Sequence, residues 1–224
     1  PLSSRTTFSA GPMVKYTDTK SDSRFINQTS PYGSGRFGMV GARAELRVDT
    51  RDIPGNATRG VLLEAGGLLA PALWDVVSTF GEVHGEATAF LSPRMPLDPT
   101  LSFRVGGRKL WGDYPYFEAA FIGDRGTVRL SRENRYAGDA SAYGSTELRL
   151  SLFRMTLLVP TDVGVFGLAD AGRVFLEGES SNTWHTAFGG GLWLGFLGPA
   201  HTVSVAVAAS EERTGVYVQG GFGF

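Results

Sequence analysis

The chain has 224 residues, a formal net charge of -1 and no cysteine. The balanced charge gives no global field toward nucleic acid or acidic partners, and the missing cysteine excludes disulfide frameworks, thiolate metal sites and cysteine nucleophiles. Only 42 % of residues are hydrophobic, and no run reaches the roughly 18 apolar residues of a membrane helix.

Read in chain order, alternation with a period of two dominates. A first strand is expected near 5–19. "GARAELRVDTR" (41–51) sets Ala42, Ala44, Leu46 and Val48 against Arg43, Glu45, Arg47 and Asp49. A strand near 60–70 follows, and "PALWDVVSTF" (71–80) reads as a strand end and connection rather than a helix. "EVHGEATAFL" (82–91) opposes Val83, Ala87, Ala89 and Leu91 to Glu82, His84 and Glu86. Further strands are expected at 100–111, at 147–152 with Leu148, Leu150 and Leu152 against Glu147, Arg149 and Ser151, and at 162–176 and 184–197. "HTVSVAVAAS" (201–210) places Val203, Val205 and Val207 on one side. The last run, "GVYVQGGFGF" (215–224), places Val216, Val218, Phe222 and Phe224 on one face and Tyr217 and Gln219 on the other.

This makes about ten strands in one domain spanning 1–224, many near the ~9–11 residues that cross a bilayer at a tilt. Connections alternate between tight turns ("PRMPLDPT", "VPTD") and long polar loops at 20–35 and about 112–144. One set of faces is apolar but thin in bulk, and the other carries charges of both signs. Those charged rows fit a wide antiparallel β-barrel with a polar interior and lipid outside, although alternation alone leaves a soluble sandwich or lipocalin-like barrel open.

"DTRDIPGNATRG" reads as a strand end and turn in which Asp49, Arg51 and Asp52 bond locally, since its carboxylates lack the spacing of a calcium loop. His84, His185 and His201 are scattered without metal spacing, and "GGG" at 189–191 lacks the context of a phosphate loop. No cofactor, metal or catalytic set is expected, and hence no enzyme. Trp111, Tyr114, Tyr116, Phe117 and Trp193 could serve as an interfacial girdle or as interior packing.

The order "TLSFRVGGRKLWGDYP", "YFEAAFIGDRGTVRLSRENRYAGDASAYGSTELRLSL", "VGVFGLADAGRVF", "HTAFGGGLWLGF" and a closing aromatic resembles the bacterial surface-antigen superfamily of outer-membrane barrels. That superfamily includes the BamA- and TamA-type assembly factors and the two-partner secretion transporters. The resemblance runs from about residue 36 to Phe224. It implies a long loop folded into the barrel with Val-Arg-Gly-aromatic at its tip. Here Val128 and Arg129 match, while Leu130 and Ser131 depart from the pattern and leave Arg132 and Arg135 as rival tip residues. The family's loop arginine pairs with the acid of a Phe-x-Asp-x-Gly motif, matched here by Leu168, Asp170 and Gly172. Glu147 and Arg149 would support the Arg129–Asp170 pair. Tyr217, Phe222 and Phe224 would form the terminal-strand targeting signal.

The resemblance further implies a location in the bacterial outer membrane, with membrane lipid and unfolded outer-membrane polypeptide as partners. The family barrel has sixteen strands, with the loop between the eleventh and twelfth. This chain would then hold the C-terminal ten, completed by an upstream segment or a second chain, or it would close as a smaller barrel. No periplasmic transport-associated domain is expected within it. The function implied is insertion or transport of polypeptide (or lipid) through a lateral strand seam. The alternative is a passive channel or structural barrel.

Overall fold

A computed structural model describes residues 2–19, 24–53, 55–123, 126–129, 131–156, 158–180, 182–198 and 201–223. Leu130 and Phe224, both named above, lie outside the described residues. Ten strands form one antiparallel sheet in which nearly every strand pairs with its neighbours in sequence. They are β1 (Thr6–Asp18), β2 (Arg36–Asp49), β3 (Gly60–Ala70), β4 (Phe80–Leu91), β5 (Thr100–Trp111), β8 (Ala140–Thr156), β9 (Pro160–Phe175), β10 (His185–Phe196), β11 (Thr202–Ser210) and β12 (Thr214–Gly220). The skipped numbers are a small hairpin, β6 (Ala120–Ile122) and β7 (Tyr136–Gly138), inside the β5–β8 connection. One short helix, α1 (Arg24–Thr29), lies between β1 and β2. Among the described residues no helix is long and apolar enough to cross a membrane.

The two faces of this sheet are unlike, as the period-two alternation requires. Along β4, Glu82, Thr88 and Phe90 are buried while Val83 and Leu91 are exposed. The same division continues with exposed Phe103 and Val105 on β5, Leu148 on β8, Phe188 and Leu192 on β10, and Val205 and Val207 on β11. The buried face carries Ser102, Arg104, Ser145, Glu147, Arg149, Asp170 and Ser204. The outer face thus shows bulky apolar side chains that a soluble sandwich would turn inward, while the buried face mixes these polar and charged groups with apolar ones such as Phe80, Phe90 and Phe166. A 12-residue strand such as β4 is about 40 Å long at ~3.4 Å per residue.

Trp74, in the β3–β4 connection, stacks on Tyr16 at 6.0 Å, and both are exposed on the outer face. Trp111 is exposed too. Tyr114 and Phe117 instead pack against the buried cluster of Phe37, Met39, Leu68, Val76 and Phe80. The girdle candidates thus divide: Trp111 lies outside, whereas Tyr114, Phe117 and Trp193 pack against interior clusters.

The sheet curls. Asn56, in the β2–β3 connection, donates from Nδ2 to Thr202 Oγ1 at the start of β11, 3.0 Å away. That connection is pre-shaped by Asp52, whose carboxylate accepts from the Ile53 and Thr58 backbone N–H groups and from the Thr58 hydroxyl. Asp49 holds Arg51 through both carboxylate oxygens. β1 and β12 pair on one side only, so the sheet is open among the described residues and each keeps an outer edge without a strand partner.

One expectation fails at β12. Val216 and Val218 are exposed at 67 % and 58 %, as alternation predicts, but the strand ends at Gly220 and Phe222 is only 9 % exposed. Gly221 has φ +76°, a left-handed conformation that side-chain-bearing residues rarely adopt. The turn there breaks the period and swings Phe222 onto the inner face, so it does not share the outer face with Val216 and Val218.

Candidate functional site: a buried ionic chain on an inward loop

The β5–β8 connection folds against the inner face. Its β6–β7 hairpin contacts β8 and β9, and Thr127 Oγ1 closes the next turn by accepting from Gly123 N at 2.7 Å. Val128 is fully buried. It reaches β9 because position 172 has no side chain: a Cβ there would lie 2.9 Å from Val128 Cγ2 and 3.4 Å from Ile122 Cδ1. Gly172 therefore provides the space in which the loop seats.

Arg129 follows directly. Its Nε donates to Asp170 Oδ2 at 2.8 Å and its Nη2 to Asp170 Oδ1 at 2.7 Å, a parallel two-bond fork. Its backbone N–H donates to Asp170 Oδ2 at 3.1 Å, so one carboxylate fixes both the side chain and the main chain of the loop. The remaining nitrogen, Nη1, donates to Glu147 Oε1. Glu147 Oε2 accepts from Arg149 Nη2 at 3.0 Å and Nε at 3.3 Å. Arg149 Nη1 in turn donates to the Ala57 carbonyl at 3.1 Å.

The result is a continuous chain, Asp170–Arg129–Glu147–Arg149–Ala57, joining β9, the loop, β8 and the β2–β3 connection. The side chains of Arg129, Asp170, Glu147 and Arg149 are 3 %, 0 %, 0 % and 4 % exposed. Among the described residues two guanidinium groups face two carboxylates, which suits so buried a site: each ion would be costly there without its partners. Arginine fits better than lysine because one rigid fork serves two acids at once.

Arg132 and Arg135 take a different place. The Arg132 backbone N–H donates to Glu212 Oε2 at 3.2 Å, and Arg135 Nε donates to Glu212 Oε1. Both therefore dock the loop on the exposed β11–β12 turn. Beside them the Tyr136 ring stacks on His185 at 3.5 Å, and His185 Nδ1 contacts Glu211 Oε2 at 2.9 Å. The loop is held at two levels, by an ionic chain inside and by the turn glutamates outside.

The Arg135 guanidinium holds the Glu212 carboxyl below its ordinary value. A depressed carboxyl contributes its anchoring above the unfolded pKa of ~4.3 and loses it as pH falls through the lower folded value. Amides of loop residues 131–135 are expected to keep their protection relative to the intrinsic exchange rate at neutral pH and to lose it under acid below that range. Glu212→Gln should show the raised exchange already at neutral pH; equal protection in the variant would dismiss the outer anchor.

Sequence reasoning did not find what surrounds Phe222. Its ring lies 3.8 Å from the Arg149 guanidinium carbon, edge-on to Phe166 at 5.6 Å and to Trp193 at 6.0 Å. At the next residue, a Cβ on Gly223 would stand 2.6 Å from Arg129 Nη1 and 2.8 Å from Glu147 Oε1. The segment after β12 thus lies across the ionic chain. The signal available was the Gly220-Gly221 pair, which marks a place where strand alternation can stop. Tyr217 is buried on the same inner face.

Among the described residues no cluster of acids and histidines could hold a metal ion. A polar hollow of about 380 Å³ lies between loop and sheet, lined by Arg43, Glu45, Glu64, His84, Arg108 and Tyr143 among others. In class, this is an all-β chain built on one ten-stranded antiparallel sheet with an inward, ion-anchored loop. No protein-family model matches the chain, and no curated protein matches it.

Proposed function

We propose that the chain forms the wall of a bacterial outer-membrane β-barrel of the assembly and translocation type, which inserts or moves polypeptide, or lipid, through a seam between strands. The observation that carries this reading is the two-faced sheet: exposed Val, Leu and Phe on one face, buried ions on the other. Lipid is the solvent in which such an outer face is favourable, and tilted strands of about 40 Å match a hydrocarbon layer of ~30 Å. In lipid the free edges of β1 and β12 are untenable, so the reading includes closure by strands of a further segment or a second chain.

The mechanism follows from hydrogen bonding. When the seam opens, an unfolded strand adds to the exposed edge, and its backbone groups are satisfied by the ladder while its side chains alternate between lipid and interior. A loop fixed by Arg129 and Asp170 keeps the inner wall in shape while the edge changes partners. The alternative, a passive channel, is favoured by the polar hollow beside His84 and Arg108.

Reconstitution into lipid vesicles tests both. The translocase reading expects the protein to enter the vesicles and to speed the folding of an unfolded outer-membrane client there. Conductance without such acceleration supports the channel. A protein that stays soluble and monodisperse without detergent overturns the membrane reading altogether.

A further inference from the structure

A second set of charges crosses the inner face beside the polar hollow, and His84 on β4 sits at its centre. The ring Nδ1 lies 2.8 Å from Glu82 Oε1 on the same strand, and Nε2 lies 3.1 Å from Glu45 Oε2 on β2. Strand β3 runs between β2 and β4, so the second contact reaches over a whole strand. It does so because the residue opposite His84 on β3 is Gly66. A Cβ there would stand 2.7 Å from His84 Cε1 and closer still to Glu45 Oε2. The missing side chain leaves the gap in which imidazole and carboxylate meet.

An ionised carboxylate only accepts, so each of the two contacts needs an N–H from the ring. The imidazolium has two N–H groups, whereas the neutral ring has one and presents a lone pair at its other nitrogen. Neutral His84 therefore satisfies one glutamate and turns a lone pair toward the other. Burial decides which one it keeps. The Glu82 side chain is 3 % exposed and that of Glu45 34 %, so a lost donor costs more at Glu82. Glu45 also has Arg43, whose Nε donates to its Oε1 at 2.7 Å.

The other charges around the ring are already paired. Arg108 Nε on β5 lies 3.0 Å from Glu82 Oε1, Glu86 on β4 accepts from the Tyr143 hydroxyl at 2.6 Å, and Glu64 on β3 accepts from Arg47. Carboxylates and guanidinium groups ordinarily keep their charge between about pH 5 and 8, the range in which histidine changes its own.

We propose that His84 is a proton-operated clasp in the inner wall. With its second proton it ties β4 to β2 across Gly66 and closes the β2 side of the hollow that Glu45, His84 and Arg108 line. Without that proton the ring stays on Glu82, Glu45 turns to Arg43, and the hollow opens toward β2. The clasp thus adds stability in mild acid and loses it as pH rises and the imidazolium gives up its proton. It acts on the wall itself, whatever the wall conducts or inserts.

The test follows the whole chain in detergent micelles at about pH 5.5 and about pH 8.5, on either side of the range in which histidine changes charge. Nitrogen-15 resonances of the imidazole report protonation atom by atom, and His185→Gln with His201→Gln leaves His84 as the signal to follow. Two protonated nitrogens are expected in acid; in alkali Nδ1 keeps its proton and Nε2 loses it. Denaturant unfolding reads the grip of the clasp. His84→Gln should lower the unfolding midpoint in acid and leave it unchanged in alkali, because a neutral amide resembles the ring without its second proton. Gly66→Ala keeps the histidine but fills the gap. It should abolish the same acid-specific increment, and it carries the comparison if His84→Gln does not fold. A His84 ring with one protonation state at both pH values overturns the proposal. So does a midpoint deficit of equal size in acid and alkali. Neither vesicle nor client enters the measurement, so failure of the clasp leaves the transport reading standing, and failure of client insertion leaves the clasp.

Discussion

Asp170→Ala is expected to lower the stability of the folded protein in detergent by about 3–5 kcal/mol, the usual cost of leaving one partner of a buried ion pair unpaired. Asp170 accepts three hydrogen bonds from Arg129, two from the guanidinium and one from its backbone N–H. Its loss would take the bidentate partner from a guanidinium that is 3 % exposed, leaving the Nη1 bond to Glu147. The loop should then loosen from β9 around Val128 and Arg129, while the β6–β7 hairpin and the Glu212 contacts keep its outer part docked. Asp170→Asn gives an intermediate result, since an amide can still accept from one nitrogen but turns its own N–H₂ toward another. The exchanged pair, Asp170→Arg with Arg129→Asp, should recover part of the loss by restoring neutrality. Denaturant unfolding followed by circular dichroism reads all three, and client folding in vesicles reads the consequence for the proposed function. Wild-type stability in Asp170→Ala would remove this pair from any structural role.

The difference between Asp170 and Phe222 explains what the sequence could and could not reveal. Two faces were readable wherever both kinds of residue occur in sufficient bulk. Glu82 and Glu86 against Val83 and Leu91 separate the two faces of β4, while alternation alone left open which of them turns inward. β8 was harder: it runs from Ala140 to Thr156, yet only "ELRLSL" announces it. Upstream, Ala142 and Gly144 alternate with Ser141, Tyr143 and Ser145, and one large side chain among small ones does not display a period. The Arg129–Asp170 pairing spans 41 positions, and no local pattern carries such a contact; it was expected from a resemblance in motif order. The two arginines left as rivals, Arg132 and Arg135, proved to serve the neighbouring turn. Phe222 was misplaced because alternation was extended through Gly221, where a left-handed backbone resets the face. Periodicity governs side-chain direction only while the backbone stays extended.

Glu147 is expected to matter at least as much as Asp170, because its carboxylate touches both arginines at once. Glu147→Ala would bring the Arg129 and Arg149 guanidinium groups face to face in a site where all three side chains are at most 4 % exposed. The expected cost is at the upper end of ~3–5 kcal/mol, and the damage should spread further than that of Asp170→Ala. Arg149 would lose its orientation, and with it the grip on the Ala57 carbonyl and the plane that faces Phe222. The β2–β3 connection should therefore become sensitive to protease in Glu147→Ala but stay protected in Asp170→Ala, whose effects remain on the loop side. Glu147→Ala combined with Arg149→Met tests the cause. If like-charge crowding is the main penalty, removing Arg149 as well recovers stability, and the cycle shows a coupling of about 1–3 kcal/mol between the two positions. Simple additivity would mean that Glu147 acts by filling space. In that case Glu147→Gln, which keeps the volume and loses the charge, should be nearly silent; the geometry of one carboxylate shared between two arginines predicts that it is not.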